Sequence, residues 1–358
     1  MSEQRKSNLD NLFEITASQG ASDLHLVAGR HPTIRSDGVL SALIKEPFLT
    51  PKDTEEYALA LINETQKARF LEQGELDFSY TFRDKARFRI NIYRERGFIA
   101  VAARFIPTHV KTLAELNFPL TLERFTRYSQ GLFLLVGPTG HGKSSTLAAL
   151  IDIINHTYNV HIITIEDPIE YLFVPDRAVI TQREIFVDTK NFSTALVHSL
   201  RQDPDVIMVG EMRDPETIST VITAAETGHL VFATLHTNSA AQTIDRIIDS
   251  FPAFQQNQIR TQLANILLGV LSQRLVPSTR EGRLPVIELM IANHAVRNLI
   301  RENKSHQIDM TIATSYSEGM ISLNRSLVTL VKKGDISLAT AQMYSMDEQA
   351  MEKLLEEE

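Results

Sequence analysis

The sequence predicts an α/β chain in two parts: a small mixed α+β domain, then a parallel sheet with crossover helices built around a phosphate loop. Three observations predict it. From residue 131, short continuous apolar runs alternate with helical stretches: LFLLV (132–136), HIITI (161–165), DVIMV (205–209), HLVFATL (229–235) and PVIEL (285–289). Such runs are the pattern of strands buried on both faces. Before them, LDFSYTF (76–82) and RFRINIYRERGFIAVAARFIP (87–107) alternate apolar and polar residues, as half-buried antiparallel strands do. Directly after LFLLV stands GPTGHGKSST (137–146). A chain of 358 residues is also too long for one typical core.

The first domain is expected over residues 1–107. FEITASQGASDLHL (13–26) reads as a short amphipathic helix, a turn and a strand entry, and HPTIRSDGVL (31–40) as a hairpin turning at Asp37–Gly38. TPKDTEEYALALINETQKARFLEQG (50–74) reads as one helix, opened by Thr50–Pro51 and closed by Gly74. Pro107 ends the block, and residues 108–130 read as a linker. The nucleotide-binding core is expected over 131–290 and a helical C-terminal segment over 291–358. In that segment Leu323, Leu327, Leu330 and Val331 are spaced for one helix face that closes at Lys332-Lys333-Gly334, and EKLLEEE reads as a frayed acidic helix.

Composition narrows the function classes. Hydrophobic residues make up 43% and charged residues 22%, the balance of a soluble globular protein. A net charge of -8 argues against a surface built to hold nucleic-acid phosphates, so no nucleic-acid partner is expected. With no cysteine, disulfides, thiolate catalysis and Cys-ligated zinc are excluded. MSEQRKSNLD lacks the apolar core of a signal peptide, and no apolar run approaches the roughly 20 residues that span a bilayer. The expectation is a cytoplasmic protein that touches a membrane only through partners.

Gly137, Gly142, Lys143 and Ser144 complete the pattern G-x-x-x-x-G-K-[ST], with a strand before it and a helix after it. Residues Gly137, Pro138, Thr139, Gly140, His141, Gly142, Lys143, Ser144 and Ser145 are therefore expected to bind ATP. Backbone N–H groups would close around phosphate oxygens at a helix N-terminus. Lys143 would reach the β- and γ-phosphates, and the Ser144 hydroxyl would ligand Mg²⁺. His141 is expected to offer only its backbone, its imidazole idle and solvated.

Where many such proteins carry an aspartate at the end of a later strand, DVIMVGEMRD has Gly210 and then Glu211. A glutamate there can orient the attacking water. Glu166, Asp167 and Glu170 cluster after HIITI, on a turn because Pro168 opposes a helix. They either supply the missing acid, Glu166 as a second Mg²⁺ ligand, or form a solvated loop. His229 and His236 flank the strand between them. They are structural, or sense the γ-phosphate or a subunit boundary; no ligand spacing favours a metal between them.

GPTGHGKSST, ITIEDPIEY, DPDVIMVGEMRD, TGHLVFATLHTN and AVRNLIRENKSHQI stand in the order seen in type IV pilus retraction ATPases of the PilT type. The chain resembles this family, part of the secretion ATPase superfamily, from ASDLHL to SEGMISLNRSLVTLVKKG. The resemblance implies a PAS-like N-terminal domain joined to a RecA-like P-loop ATPase domain in a homohexameric ring. It also implies a pilus inner-membrane platform protein as partner, at the cytoplasmic face. Glu166 and Glu170 fall in the family's acidic box, Glu211 matches its catalytic glutamate, and His229 and His236 match its histidine box.

Among arginines 87, 89, 94, 96 and 104, Arg89 and Arg104 are expected to serve a neighbouring subunit's site, the alternative being a solvated sheet face. AVRNLIRE, from Ala295, resembles the family's retraction motif. Its Val296, Leu299 and Ile300 share one face, and Arg297 and Arg301 another; it either caps the core or couples the ring to its partner. Two departures stand out: His141 replaces the family's usual serine, and Ser145 a threonine. The absence of a tetracysteine zinc insert and the short N-terminal region favour retraction over pilus extension or type II secretion. A weakly hydrolysing nucleotide-gated scaffold is the alternative from another class.

Overall fold

The computed structural model describes residues 3–36, 38–83, 86–106 and 109–356, the side chains from residue 8 onward. Asp37 of the expected hairpin turn, the expected boundary at Pro107 and Thr108, and the terminal Glu357 and Glu358 lie outside the described residues. The chain divides into two compact units, Met1–His109 with Asp167–Leu172, and Val110–Glu166 with Phe173–Glu358.

The first unit contains α1 (Glu3–Ser18), β1 (Asp23–Leu26), β2 (Thr33–Ser36), β3 (Val39–Ala42), α2 (Pro51–Ala60), α3 (Glu64–Gln73), β4 (Glu75–Phe82), β5 (Ala86–Glu95) and β6 (Phe98–Ile106). Its strands form one antiparallel sheet in the order β3-β2-β1-β6-β5-β4. Alternating residues of β5, among them Phe88, Ile90 and Ile92, are buried in this unit's core, where the rings of Phe13 of α1 and Phe88 lie 4.6 Å apart.

The single helix expected over 50–74 is two. Thr50 and Asp53 cap α2 reciprocally, and a second reciprocal box opens α3, where Asn63 Oδ1 accepts the Gln66 N–H and Gln66 Oε1 accepts the Asn63 N–H. The helix restarts because N-E-T-Q satisfies its own first-turn donors. Gly74 ends α3 at φ +79, a left-handed conformation that costs glycine little.

The second unit runs β7 (Gly131–Val136), α4 (Lys143–Thr157), β8 (His161–Glu166), β9 (Val179–Glu184), α5 (Phe192–Ser199), β10 (Val206–Val209), α6 (Pro215–Glu226) and β11 (Leu230–Leu235). There follow α7 (Ala240–Asp249), α8 (Ala253–Ile266), β12 (Leu267–Pro277), β13 (Arg283–Ile291), α9 (His294–Arg301), α10 (Ile308–Thr314), α11 (Leu323–Lys332), α12 (Leu338–Tyr344) and α13 (Glu348–Glu356). The sheet order is β13-β12-β7-β11-β10-β8-β9. Every adjacent pair is parallel except β12 with β13. All five expected apolar strands are present, and β7, β10 and β11 are buried at every residue.

Two strands carried no continuous apolar run to mark their full length. β9 (VITQRE) is a polar edge strand, and the Ser272-Gln273-Arg274 stretch interrupts the apolar run of β12. Residues 110–130 are more than a connector. Leu113, Phe118, Leu122 and Phe125 are buried in this unit, and the Phe125 ring lies 4.2 Å from that of Phe133 on β7. The C-terminal helices cover the β12–β13 hairpin: Leu323, Leu327, Val328 and Met351 form a cluster with Val276 and Val286. Burial of Met351 keeps α13 helical to Glu356, so the expected fraying is absent among the described residues.

Candidate active site

The loop between β7 and α4 turns on three glycines with positive φ: Gly137 (+139), Gly140 (+79) and Gly142 (+80). At Gly137 a Cβ would collide with the Gln273 carbonyl oxygen, so only glycine lets the loop leave β7 alongside β12. Lys143 begins α4 as a buried side chain, and its Nζ donates to the carbonyls of Gly137 (2.7 Å) and Pro138 (3.0 Å) inside the loop it closes. Ser144 follows, exposed, in the first turn.

Parallel order brings three strand ends to this loop's edge of the sheet. Val136 of β7 lies beside Leu235 of β11, and Ala233 of β11 beside Val209 of β10. His236 and Glu211 therefore leave neighbouring strands side by side. Lys143 Nζ lies 3.3 Å from His236 Nδ1, and Thr139 Oγ1 is equally close to that nitrogen. His236 Nε2 is 3.1 Å from Glu211 Oε1, and Arg213 holds the other carboxylate oxygen at 2.7 Å. An imidazole with its hydrogen on Nε2 accepts from the lysine side and donates to the glutamate, linking loop and carboxylate through one ring.

Burial works to raise the Glu211 carboxyl, but the Arg213 hydrogen bond and the nearby His236 outweigh it and hold it below the usual range. Glu211 is thus ionised at neutral pH, as an acceptor for a water proton must be. Beside it a cavity of about 500 Å³ is lined by Glu211, Arg213, His236, Asn238 and Arg246 among others.

The other expected residues are distributed differently. Glu166 ends β8, buried, accepting from Thr164 Oγ1 (2.7 Å) and Gln182 Nε2 (3.3 Å). Strand order sets β8 three strands from β7, a span of about 14 Å. Asp167 and Glu170 follow on irregular backbone, as Pro168 led one to expect, and Glu170 belongs to the first unit, 3.7 Å from Arg89 Nη1. His229 precedes β11, at the opposite end of that strand from His236, where its Nδ1 lies 2.8 Å from the Ala224 carbonyl at the close of α6. Among the described residues no group of three or more His, Asp or Glu could hold a metal ion by itself.

In the first unit the five arginines separate. Arg87 is buried and donates to Ser79, Thr81 and the Ile169 carbonyl; Arg94 lies over the Phe70 ring, and Arg96 occupies a left-handed turn beside Glu95. Arg89 and Arg104 stay partly or largely exposed and stand directly opposite each other across β5 and β6. Asp77 and Asp23 respectively offset them, at 3.6 and 2.9 Å.

Sequence reasoning missed two contributors and misjudged a third. Arg213 clamps the expected catalytic carboxylate, although the motif offered only its place two residues on. Buried Gln273 touches the loop from β12, its Nε2 donating to the His141 carbonyl (2.7 Å) and its Oε1 accepting from Thr146 of α4 (2.9 Å). His141 itself is neither idle nor fully solvated: its Nδ1 accepts the Leu275 N–H at 2.8 Å.

Residues 6–343 match the Type II/IV secretion system protein family. The chain is similar to the type IV pilus retraction ATPase PilT of Pseudomonas aeruginosa, 46% identical over 93% of this chain and 97% of that one. It is 43% identical to a twitching motility protein of Neisseria gonorrhoeae over 95% of this chain and 91% of the relative. A crystal structure of the pilus retraction motor PilT with bound ADP superposes with a TM-score of 0.90 at 45% identity, covering 96% of this chain and 98% of the other. By the span of that match and the extent of these likenesses, the chain belongs to the Type II/IV secretion system protein family.

Proposed function

We propose that this chain is a motor ATPase that hydrolyses ATP to drive retraction of type IV pili, working as a homohexamer on a pilus platform protein at the cytoplasmic face of the inner membrane. The observation that carries the reading is the continuous line from the phosphate loop through Lys143 and His236 to the ionised Glu211. Lys143 would exchange its two loop carbonyls for β- and γ-phosphate oxygens, which frees His236 and through it Glu211. Glu211 then orients water and takes its proton, while His236 reports whether the γ-phosphate is present. Among the described residues no helix is long and apolar enough to cross a membrane, so attachment would go through the partner.

Mg²⁺ fits this donor set through the exposed Ser144 hydroxyl together with phosphate oxygens; when bound it would neutralise charge on the phosphates. Glu166, about three strand spacings away and engaged by Thr164 and Gln182, does not fit as a second ligand to the same ion. Arg89 and Arg104 are proposed to act on a neighbouring subunit's nucleotide: two like charges held opposite each other are stabilised when an anion approaches.

The test is steady-state hydrolysis by the wild type, Lys143→Ala and Glu211→Gln. Lys143→Ala should lose hydrolysis and bind nucleotide weakly. Glu211→Gln should bind normally and turn over about 10²- to 10⁴-fold more slowly. Near-normal turnover in either removes its assigned role. In a pilus-bearing host, deletion of the gene should leave cells hyperpiliated, and bald cells would mean extension.

A further inference from the structure

We propose that the His141 side chain is a positioning residue for nucleotide binding: its unprotonated Nδ1 fastens the phosphate loop to β12 and keeps the phosphate cradle in shape. The inference rests on the reading of this loop as the nucleotide site and adds a form of regulation to it.

His141 stands between Gly140 and Gly142, both at positive φ near +80. Glycines give a loop its shape without holding it there, because they lose the most freedom on ordering. Whatever fixes the cradle must come from side chains and neighbouring backbone. β12 provides the anchor. Its pairing with β7 ends where Ser272 meets Val136, and it runs on to Pro277 past the end of that partner. Beyond this point the Leu275 N–H, which would otherwise lack a β7 partner, donates to His141 Nδ1 at 2.8 Å. One residue past the last pair, Gln273 holds the His141 carbonyl and Thr146, so strand, loop and helix start are tied together on one side. The imidazole thus continues a strand ladder that β7 has stopped making.

An imidazolium would present N–H to N–H at this contact, since both ring nitrogens are then donors. The latch therefore exists only while the ring is neutral. Its surroundings favour that form. Burial is the largest influence lowering the His141 pKa, followed by Arg283 of β13, Lys143 of α4 and Arg274 of β12. The folded value is depressed below 6.5, so the latch is intact at neutral pH and is lost as pH falls below about 6.5 and through the folded value. A loosened cradle must be ordered again by the nucleotide, which weakens binding.

The experiment measures the affinity of the full-length protein for ADP from pH 5 to pH 8 in the wild type, His141→Ala and His141→Asn. The Asn Oδ1 occupies nearly the place of the His Nδ1 and accepts a hydrogen bond without titrating. The nucleotide's own protonation is common to all three proteins and cancels in their ratios. His141→Ala should bind about three- to tenfold more weakly than wild type at pH 7.5, the worth of one such bond. His141→Asn should restore most of that loss. As pH falls below about 6.5 the wild type should lose affinity progressively relative to His141→Asn, up to the roughly three- to tenfold that the bond is worth, while the Asn profile should run parallel to that of His141→Ala.

Superimposable wild-type and Asn profiles would overturn the latch, and so would wild-type affinity in the alanine protein. A wild type that gains affinity over Asn on acidification would also overturn it, because the ring would then be acting on phosphate directly. If the alanine variant fails to fold, the wild-type and Asn pair still decides. Absence of ADP binding by the wild type at every pH would overturn the nucleotide site itself, and the latch with it.

Discussion

Replacing Arg297 with alanine should destabilise the second unit without touching the phosphate loop, and the size of the effect follows from what the side chain holds. Its guanidinium donates to four carbonyls: Ala292 through Nε at 2.9 Å, Ala264 and Asn265 through Nη1, and Leu267 through Nη2 at 2.7 Å. Three of these lie at or just past the end of α8, where the last helical carbonyls have no partner of their own. Arg297 of α9 is therefore the C-terminal cap of α8. Asn265 is exposed and can rehydrate, but Ala264, Leu267 and Ala292 are buried. Three buried carbonyls losing a donor at about 1 kcal/mol or slightly more each gives a loss of about 3–4 kcal/mol.

At about 2–4 °C per kcal/mol for a unit of this size, the melting midpoint should drop by roughly 10 °C. The assay is a thermal melt followed by circular dichroism, with ADP absent. Arg297→Lys should fall between wild type and alanine, because one ammonium cannot reproduce the planar fork. A melt of Arg297→Ala within 2 °C of wild type would refute the capping role. Sequence reasoning placed Arg297 and Arg301 together on one face of a segment that either caps the core or couples the ring to its partner. The structure separates them: among the described residues Arg301 hydrogen-bonds only to side chains, those of Asn298 and Asn265, whereas Arg297 is part of the fold. Only Arg301 offers a clean test of coupling to a pilus partner.

Two further outcomes are expected. Mixing Lys143→Ala protein with an Arg89→Ala, Arg104→Ala double variant should restore part of the ATPase activity if these arginines serve a neighbour's site; no recovery at any mixing ratio would mean that they do not. Glu288 of β13 accepts the Ala240 N–H at the start of α7, and burial, aided by Asp309, pushes its carboxyl to about 7. Its folded value exceeds its unfolded one of 4.5, so between these pH values the folded state binds more protons and stability falls as pH rises. Glu288→Gln keeps the acceptor and removes that penalty, so its melting advantage over wild type should grow from pH 5 to pH 8, reaching at most about 3 kcal/mol; a pH-independent difference would contradict it.

How legible was all this in the sequence? The phosphate loop, its strand and its helix were written in ten consecutive residues, and Glu211 could be read as an acid just past a buried strand because both signals are local. His236 was equally visible, but its equivalence with His229 was not resolvable: the motif shows two histidines around one strand, and only the parallel register decides which end lies beside Val136. Local signals were also misread where two of them competed. The Thr50–Pro51 start and the Gly74 stop outweighed the N-E-T-Q box between them, although that box is a complete start signal. The stretch 110–130 looked like a linker because its apolar residues follow no period, yet four of them are buried. Gln273 could not have been found at all, since it follows the loop by 131 residues or more and meets it only because β12 is the strand next to β7.

That adjacency organises the whole site. β7 delivers the loop from a position between β12 and β11, neither of which is its neighbour in sequence. On the β12 side everything that touches the loop holds it: Gln273 through its amide, Leu275 through its N–H, and Arg283 of β13 at 3.4 Å from the Gly140 carbonyl. On the β11 side the contacts are of another kind. His236 meets Lys143 and Thr139 at 3.3 Å, longer than the Gln273 and Leu275 bonds on the holding side, and passes directly to an ionised carboxylate. The loop thus has one face that fixes it and one that can respond when phosphate displaces the loop carbonyls from Lys143. A substitution on the fixing side should change affinity more than turnover, and one on the responding side should change turnover more than affinity. This division follows from strand order alone, so it applies equally to residues the motif never marked, Gln273 and Arg213 among them.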